Sequence, residues 1–145
     1  MSKIMNLYCA IVHKVHTYLA PLVLLLARLT IARVFWHAGL TKLRRWESTV
    51  GLFRDEYKVP LFSPEVAAFL TTLFELSCPI LLTIGLFSRL ATLPLLVMVA
   101  VMQFTYMSHM DHLYWSLILG VILCYGPGVL SLDAVLKKRF CPKKQ

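Results

Sequence analysis

The sequence predicts an all-α fold: a four-transmembrane-helix bundle with short interfacial amphipathic helices at the N-terminus, in the helix 1–2 loop and at the C-terminus. Three observations predict it. Hydrophobic residues make up 59% of the chain and mean hydropathy is +0.72, whereas soluble domains are about 45–50% apolar. The apolar residues gather in runs close to the ~20 residues that cross a hydrocarbon core. The polar stretches beside those runs keep a helical period. With 145 residues, the chain has room for four crossings in a single domain, residues 1–145, and little else.

Residues 1–19 place Ile4, Tyr8, Ile11, Val15 and Tyr18 at three- and four-residue steps, with Lys3, Asn6, His13 and Lys14 between them. That pattern predicts an amphipathic helix lying on the membrane surface. No small-x-small cleavage site follows the first apolar run, so the first crossing is expected to serve as its own anchor. Pro21 suits a first helical turn, and the first crossing is expected over residues 21–39, closed by Gly39. From Thr41 to Ser63 the chain is polar, but Trp46, Val50, Phe53 and Tyr57 keep a helical stripe. A short interfacial helix anchored by its aromatics is expected there, followed by an extended connection.

Ser63-Pro64-Glu65 supplies a capping hydroxyl, a proline at the first helical position and an acid in the first turn. The second crossing is therefore expected over 64–86. Ser88 is placed to cap the third, 88–107, which runs through Pro94. The run Ser108 to His112 turns the chain into the fourth, 113–129, passing through Gly126-Pro127-Gly128. Ser131 then opens a last short surface helix.

The formal net charge is +8, and five of the last nine residues are basic. Beside a membrane helix this reads as cytoplasmic placement and contact with anionic lipid, and not as nucleic-acid binding. Four crossings put both termini on one side, where eight Lys and Arg residues lie against five on the other. Both termini are expected in the cytoplasm. Cys9, Cys78, Cys124 and Cys141 are scattered, without C-x-x-C or metal-type spacing, so neither a disulfide framework nor a dithiol pair is expected.

The residues that carry chemistry are those that sit in lipid at a cost. Glu75 lies within the second apolar run, and Pro79, four residues on, has no N–H to give the carbonyl of Glu75. A helix kink is expected there. Arg28 lies in the first run, with Arg33 and His37 as i,i+4 neighbours beyond it. An arginine at the bilayer centre costs ~2.5–3.5 kcal/mol on insertion scales, so such groups are expected to face protein. Arg28, Arg33, His37 and Glu75 are accordingly read as a buried polar core. Counting ~1.5 Å per residue puts Arg28 and Glu75 at matching depth on antiparallel neighbours, which predicts an ion pair. It serves equally as a register-fixing contact or as a proton-handling or ligand-binding carboxylate. Lys42, His109, Asp111 and His112 are read as outer-face candidates, with imidazole chemistry that suits Cu or Zn but no third ligand to define a metal site. Arg89 and Asp133 are expected to pair at the cytoplasmic face.

Taken together, Arg28, the exit Gly39-Leu40-Thr41-Lys42, Glu75, the turn Gly85-Leu86-Phe87-Ser88-Arg89-Leu90-Ala91 and the closing Gly126-Pro127-Gly128 with Ser131-Leu132-Asp133 resemble the DoxX family of four-helix bacterial inner-membrane proteins. The segment from Gly39 to Glu65 resembles more specifically the HvfX branch, linked to the maturation of copper-binding peptides. The family includes a small subunit of an archaeal terminal quinol oxidase and members linked to thiol and oxidative-stress systems. The resemblance implies a bacterial inner-membrane accessory protein in redox or copper-stress handling of a metal-binding peptide, working with other membrane or periplasmic proteins. Two further classes stay open: a quinone-linked oxidoreductase subunit, its head group held by Arg28, His37 and Glu75, and a small transporter or proton path built on Glu75 and Pro79. Quinone and copper are the cofactors these readings imply. Whether the chain is itself an enzyme is left open by its residues.

Overall fold

Long apolar runs with few breakers, in a solvent that cannot bond free backbone groups, leave the chain little choice but helix. The computed structural model describes residues 2–57, 62–105 and 110–140, and these contain helices and connections but no strand. Seven α-helices run in order: α1 (Ser2–Lys14), α2 (Ala20–Arg44), α3 (Trp46–Leu52), α4 (Pro64–Ile84), α5 (Ser88–Thr105), α6 (Met110–Tyr125) and α7 (Leu132–Phe140). Met5–Arg44 and Pro64–Ile84 are long and apolar enough to cross a membrane, and two shorter apolar helices, Ser88–Phe104 and Met110–Tyr125, accompany them.

The first crossing differs from the expectation at both ends. It begins no fresh helix at Pro21: a π turn, Val15–Leu19, joins α1 directly to α2. A proline cannot donate to the carbonyl four residues back, and a π turn just ahead of it is a common way for a helix to pass such an interruption. Nor does Gly39 end the helix, which continues to Arg44. A Cβ at Gly39 would lie 2.9 Å from Leu76 Cδ2 and 3.1 Å from Glu75 Cβ. Gly39 thus marks a close approach between α2 and α4.

The first loop also turns inward. α3 and the π turn Phe53–Tyr57 fold back on the start of α4, where Phe53 and Tyr57 pack with Ala67 and Ala68. Two of the aromatics expected to anchor in the interface are therefore core residues, while Trp46 stays outside. α4 opens as its sequence dictates, Ser63 Oγ accepting from the N–H of Val66 at 3.4 Å. It runs through the buried Pro79 without interruption and closes at Gly85, whose φ of 75° is left-handed.

The cap of α5 comes from elsewhere than expected. The Ser88 hydroxyl has no hydrogen-bond partner among the described residues, and the Asp133 carboxylate accepts from the N–H groups of Phe87 at 2.8 Å and Ser88 at 3.0 Å. Tyr106 and Met107, read as the end of this helix, lie outside the described residues. α6 starts earlier than expected and stops at Tyr125, because Gly126 turns left-handed with φ of 78°. Ser131 caps α7, accepting from the N–H of Ala134 at 3.2 Å.

α2 packs on α4 and α5 on α6, and contacts between α4 and α5 and between α2 and α6 close the ring. The core at its centre draws on all four: Ile31 and Phe35, Cys78 and Leu82, Leu95 and Val99, Leu119 and Ile122. Phe35 and Trp115 meet edge to face at 6.0 Å, tying α2 to α6.

Candidate functional site

The α2–α4 crossing creates the site. Because Gly39 carries no side chain, the two backbones approach closely over Glu75. Lys42 lies three residues further along α2, on the same face as Gly39, and its Nζ donates to Glu75 Oε1. The Glu75 side chain is fully buried and that of Lys42 is 13% exposed. Among the described residues Glu75 Oε2 has no partner. Thr72 and Cys78, one turn before and after Glu75, are buried on the same face of α4. The Thr72 hydroxyl already donates to the Ala68 carbonyl at 2.8 Å. The arrangement is an ammonium–carboxylate pair in the helical core with one carboxylate oxygen open to a proton or a hydrogen-bond donor.

Arg28 is buried as expected but does not reach Glu75. Its Nη2 donates to the Leu130 carbonyl at 2.8 Å, while Nε and Nη1 find no partner among the described residues. The register explains this. Depth counting took Gly39 as level with Pro64, but the helices cross with Gly39 against Glu75 and Leu76. Eleven residues back along α2, Arg28 therefore lies ~16 Å from the level of Glu75. It rests instead on Gly85, where an added Cβ would come within 2.3 Å of its Nη1.

Arg33 and His37 do not belong to the buried core. Both are exposed on the outer face of α2. The inward stripe of that helix is Arg28, Ile31, Phe35, Gly39 and Lys42, at steps of three and four, and Arg33 and His37 fall between its members. That same stripe was the signal in the sequence for turning Lys42 inward, and Lys42 is the site residue that its position near the helix end disguised. The outer face of α2 borders a groove of about 380 Å³, with Leu29, Arg33 and Trp36 on one wall and Pro79, Ile80 and Ile84 on the other. Pro79 thus serves as a buried wall between α2 and α4 within a continuous helix.

The outer-face set is not brought together. Lys42 is committed to Glu75, Asp111 is exposed, and His109 lies outside the described residues. His112 is buried against α5, its Nδ1 3.2 Å from Gln103 Oε1 and its ring 5.3 Å from that of Trp115. Among the described residues no three His, Cys, Asp or Glu side chains gather as a metal site would require. Arg89 and Asp133 share one end of the bundle but form no ion pair. Asp133 is occupied as the cap of α5, and its own N–H donates to the Gly85 carbonyl at 2.9 Å. Arg89 Nη2 donates to the Cys124 carbonyl at 3.2 Å, near the end of α6.

The family model for DoxX matches residues 23–108, more than half of the 145-residue chain. The chain belongs to the DoxX family. It is accordingly a membrane protein, as its two long apolar helices also indicate. The part matched to DoxX contains Arg28, Gly39, Lys42, Glu75 and Pro79, so the whole α2–α4 site falls within it. It stops short of Asp133, and the cap of α5 is supplied from outside the matched region. No curated protein and no solved structure matches the chain.

Proposed function

We propose that this DoxX-family membrane protein is an accessory subunit that works through a partner membrane protein, in the redox or copper-stress handling of a metal-binding peptide. The observation that carries the proposal is the outward face of α2. Arg33 and His37 lie exposed within a helix apolar enough to span the bilayer, and among the described residues no carboxylate pairs with Arg33. A charge facing lipid costs up to ~2.5–3.5 kcal/mol at the middle of a span. A partner's transmembrane helix seated in the adjoining groove, carrying an acceptor for the guanidinium, removes that cost. The choice of system is supported by the resemblance of residues 39–65 to the HvfX branch. The placement that fits is a bacterial inner membrane crossed four times, by α2, α4, α5 and α6, with both termini in the cytoplasm. The positive-charge bias supports that orientation.

Purification in mild detergent is expected to recover a partner that Arg33→Leu releases while the chain stays folded. A chain that purifies alone whether or not Arg33 is replaced counts against the subunit role. In a strain lacking only this gene, copper tolerance and peptide modification are expected to fall. Unchanged values in both remove the copper-peptide system.

A second reading has one specific observation in its favour, the unpartnered Glu75 Oε2 beside Lys42. In a quinone-linked oxidoreductase subunit, Lys42 donates to a quinone carbonyl and Glu75 holds the proton. Arg28 and His37 drop out of that head-group set, one ~16 Å away along the bundle and the other on its outside. Purified protein that neither retains nor binds a quinone excludes this reading.

A further inference from the structure

We propose that the pocket enclosed by the start of α5, the end of α6 and the first turns of α7 binds a phosphate group, carried by an anionic phospholipid or by a free phosphate ester. The pocket measures about 480 Å³ and is walled by Arg89, Tyr125, Gly126, Asp133 and Lys137, with Phe87 at its lip. Two cations face it. Among the described residues Arg89 spends one N–H on the Cys124 carbonyl and makes no other side-chain hydrogen bond or ion pair, and Lys137 makes none. The one acid in the wall, Asp133, keeps its charge but has both oxygens engaged, each accepting a backbone N–H, from Phe87 and from Ser88, so that two cations stand against one occupied carboxylate. The net character of the cavity is therefore that of an anion receptor.

The guanidinium is also held in place. Gly126 is left-handed, with φ of 78°, and a Cβ there would lie 3.3 Å from Arg89 Nε. The bare glycine lets the guanidinium lie against the chain, where its planar fork of donors suits the oxygens of a phosphate. Lys137 adds a point charge from the other side. The rim is apolar: Phe87, Leu90 and Tyr125 are 57%, 63% and 75% exposed. A polar floor under an apolar lip, at the end of a membrane helix bundle, matches a lipid whose phosphate sits at the interface and whose chains lie along α5 and α6. The site is independent of the α2–α4 pair and of the partner face.

The test uses the full chain in nanodiscs of phosphatidylcholine with and without phosphatidylglycerol, with bound lipid counted by native mass spectrometry. Retention of phosphatidylglycerol over phosphatidylcholine is expected, and Arg89→Gln with Lys137→Gln together should reduce that preference about tenfold or more, as loss of charge-assisted bonds implies. Lys138 and Arg139 carry the same charge on exposed positions of α7 outside the pocket, so Lys138→Gln with Arg139→Gln is expected to leave the preference intact. Equal losses in the two double variants overturn the proposal, because diffuse attraction to a basic tail then accounts for the binding. Lys137→Gln alone breaks no side-chain hydrogen bond or ion pair among the described residues, and it must weaken retention even if the Arg89 variant unfolds. Inorganic phosphate and glycerol phosphate are titrated against the lipid-bound protein: displacement identifies a free phosphate ester as a competent ligand, and its failure identifies the lipid headgroup. Absence of any preference for phosphatidylglycerol, with no phosphate binding, overturns the site.

Discussion

Gly39 decides whether Lys42 and Glu75 can meet, since the backbones of α2 and α4 close over Glu75 only where a side chain is missing. Gly39→Ala is expected to cost ~1–3 kcal/mol by overpacking, at the low end because the nearest atom, Leu76 Cδ2 at 2.9 Å, is the movable tip of a side chain. Gly39→Leu leaves no such escape and should pull Lys42 away from Glu75. The two members of the pair are not equivalent. Lys42→Met strands a carboxylate with no exposure at all, and removal of one partner from a buried pair costs ~3–5 kcal/mol. Glu75→Gln strands an ammonium on a long, partly exposed stem that can swing toward the helix end, so its cost should be clearly smaller. Unfolding in detergent measures both, and equal losses would remove the idea that burial is concentrated on Glu75. Lys42→Met with Glu75→Met is expected to recover most of the stability. If the double variant also keeps copper tolerance and peptide modification in cells, the pair serves only to fix the register of α2 against α4; if stability returns and those do not, the pair has a role beyond the fold.

Asp133 joins three elements: it belongs to α7, caps α5, and bonds through its N–H to Gly85 at the end of α4. Asp133→Ala is expected to cost ~1–2 kcal/mol as the loss of a helix cap. Hydrogen exchange should quicken at Phe87, Ser88 and the first turn of α7 together, and Asp133→Asn should show part of the effect. Exchange that quickens in α7 alone would mean that the cap does not couple the elements. How far such elements can be read from sequence depends on the range of the forces that set them. Ser63 and Ser131 were legible as caps because capping is local, and the helical runs were legible because lipid enforces them. The joining of α1 to α2 through a π turn was not, since a proline after a polar stretch reads as a start. The Asp133 cap was not legible either, because Ser88 offered a local hydroxyl and the true acceptor lies 45 residues away. The pairing of Arg28 with Glu75 failed for a related reason. Depth counted from loop ends assumes level helix tops, and the offset between α2 and α4 is set by where Gly39 lets them touch. The sidedness of Arg33 and His37 was within reach of periodicity, from the stripe Arg28, Ile31, Phe35, Gly39 and Lys42.

The bundle as a whole carries two arginines in one apolar helix, five residues apart and with opposite surroundings, and this makes its assembly state testable by sign. Arg28 is 1% exposed and holds the Leu130 carbonyl, tying α2 to the loop ahead of α7. Arg33 is exposed and forms no ion pair among the described residues. Arg28→Leu therefore removes a charge-assisted hydrogen bond that connects distant parts of the chain, at a cost of ~1.5–3 kcal/mol. Arg33→Leu removes a charge from a face that meets lipid or detergent when the chain is alone, so the isolated bundle should gain stability or stay unchanged. With the proposed partner bound the second sign is expected to reverse, because the guanidinium would then be the group that the partner's acceptor meets. Thermal unfolding of the purified chain, alone and as recovered from native membranes, reads both signs with two variants. A loss of stability in the isolated Arg33→Leu chain comparable with that of Arg28→Leu would show that Arg33 holds the fold from within, and the outward face of α2 would then need no partner to explain it.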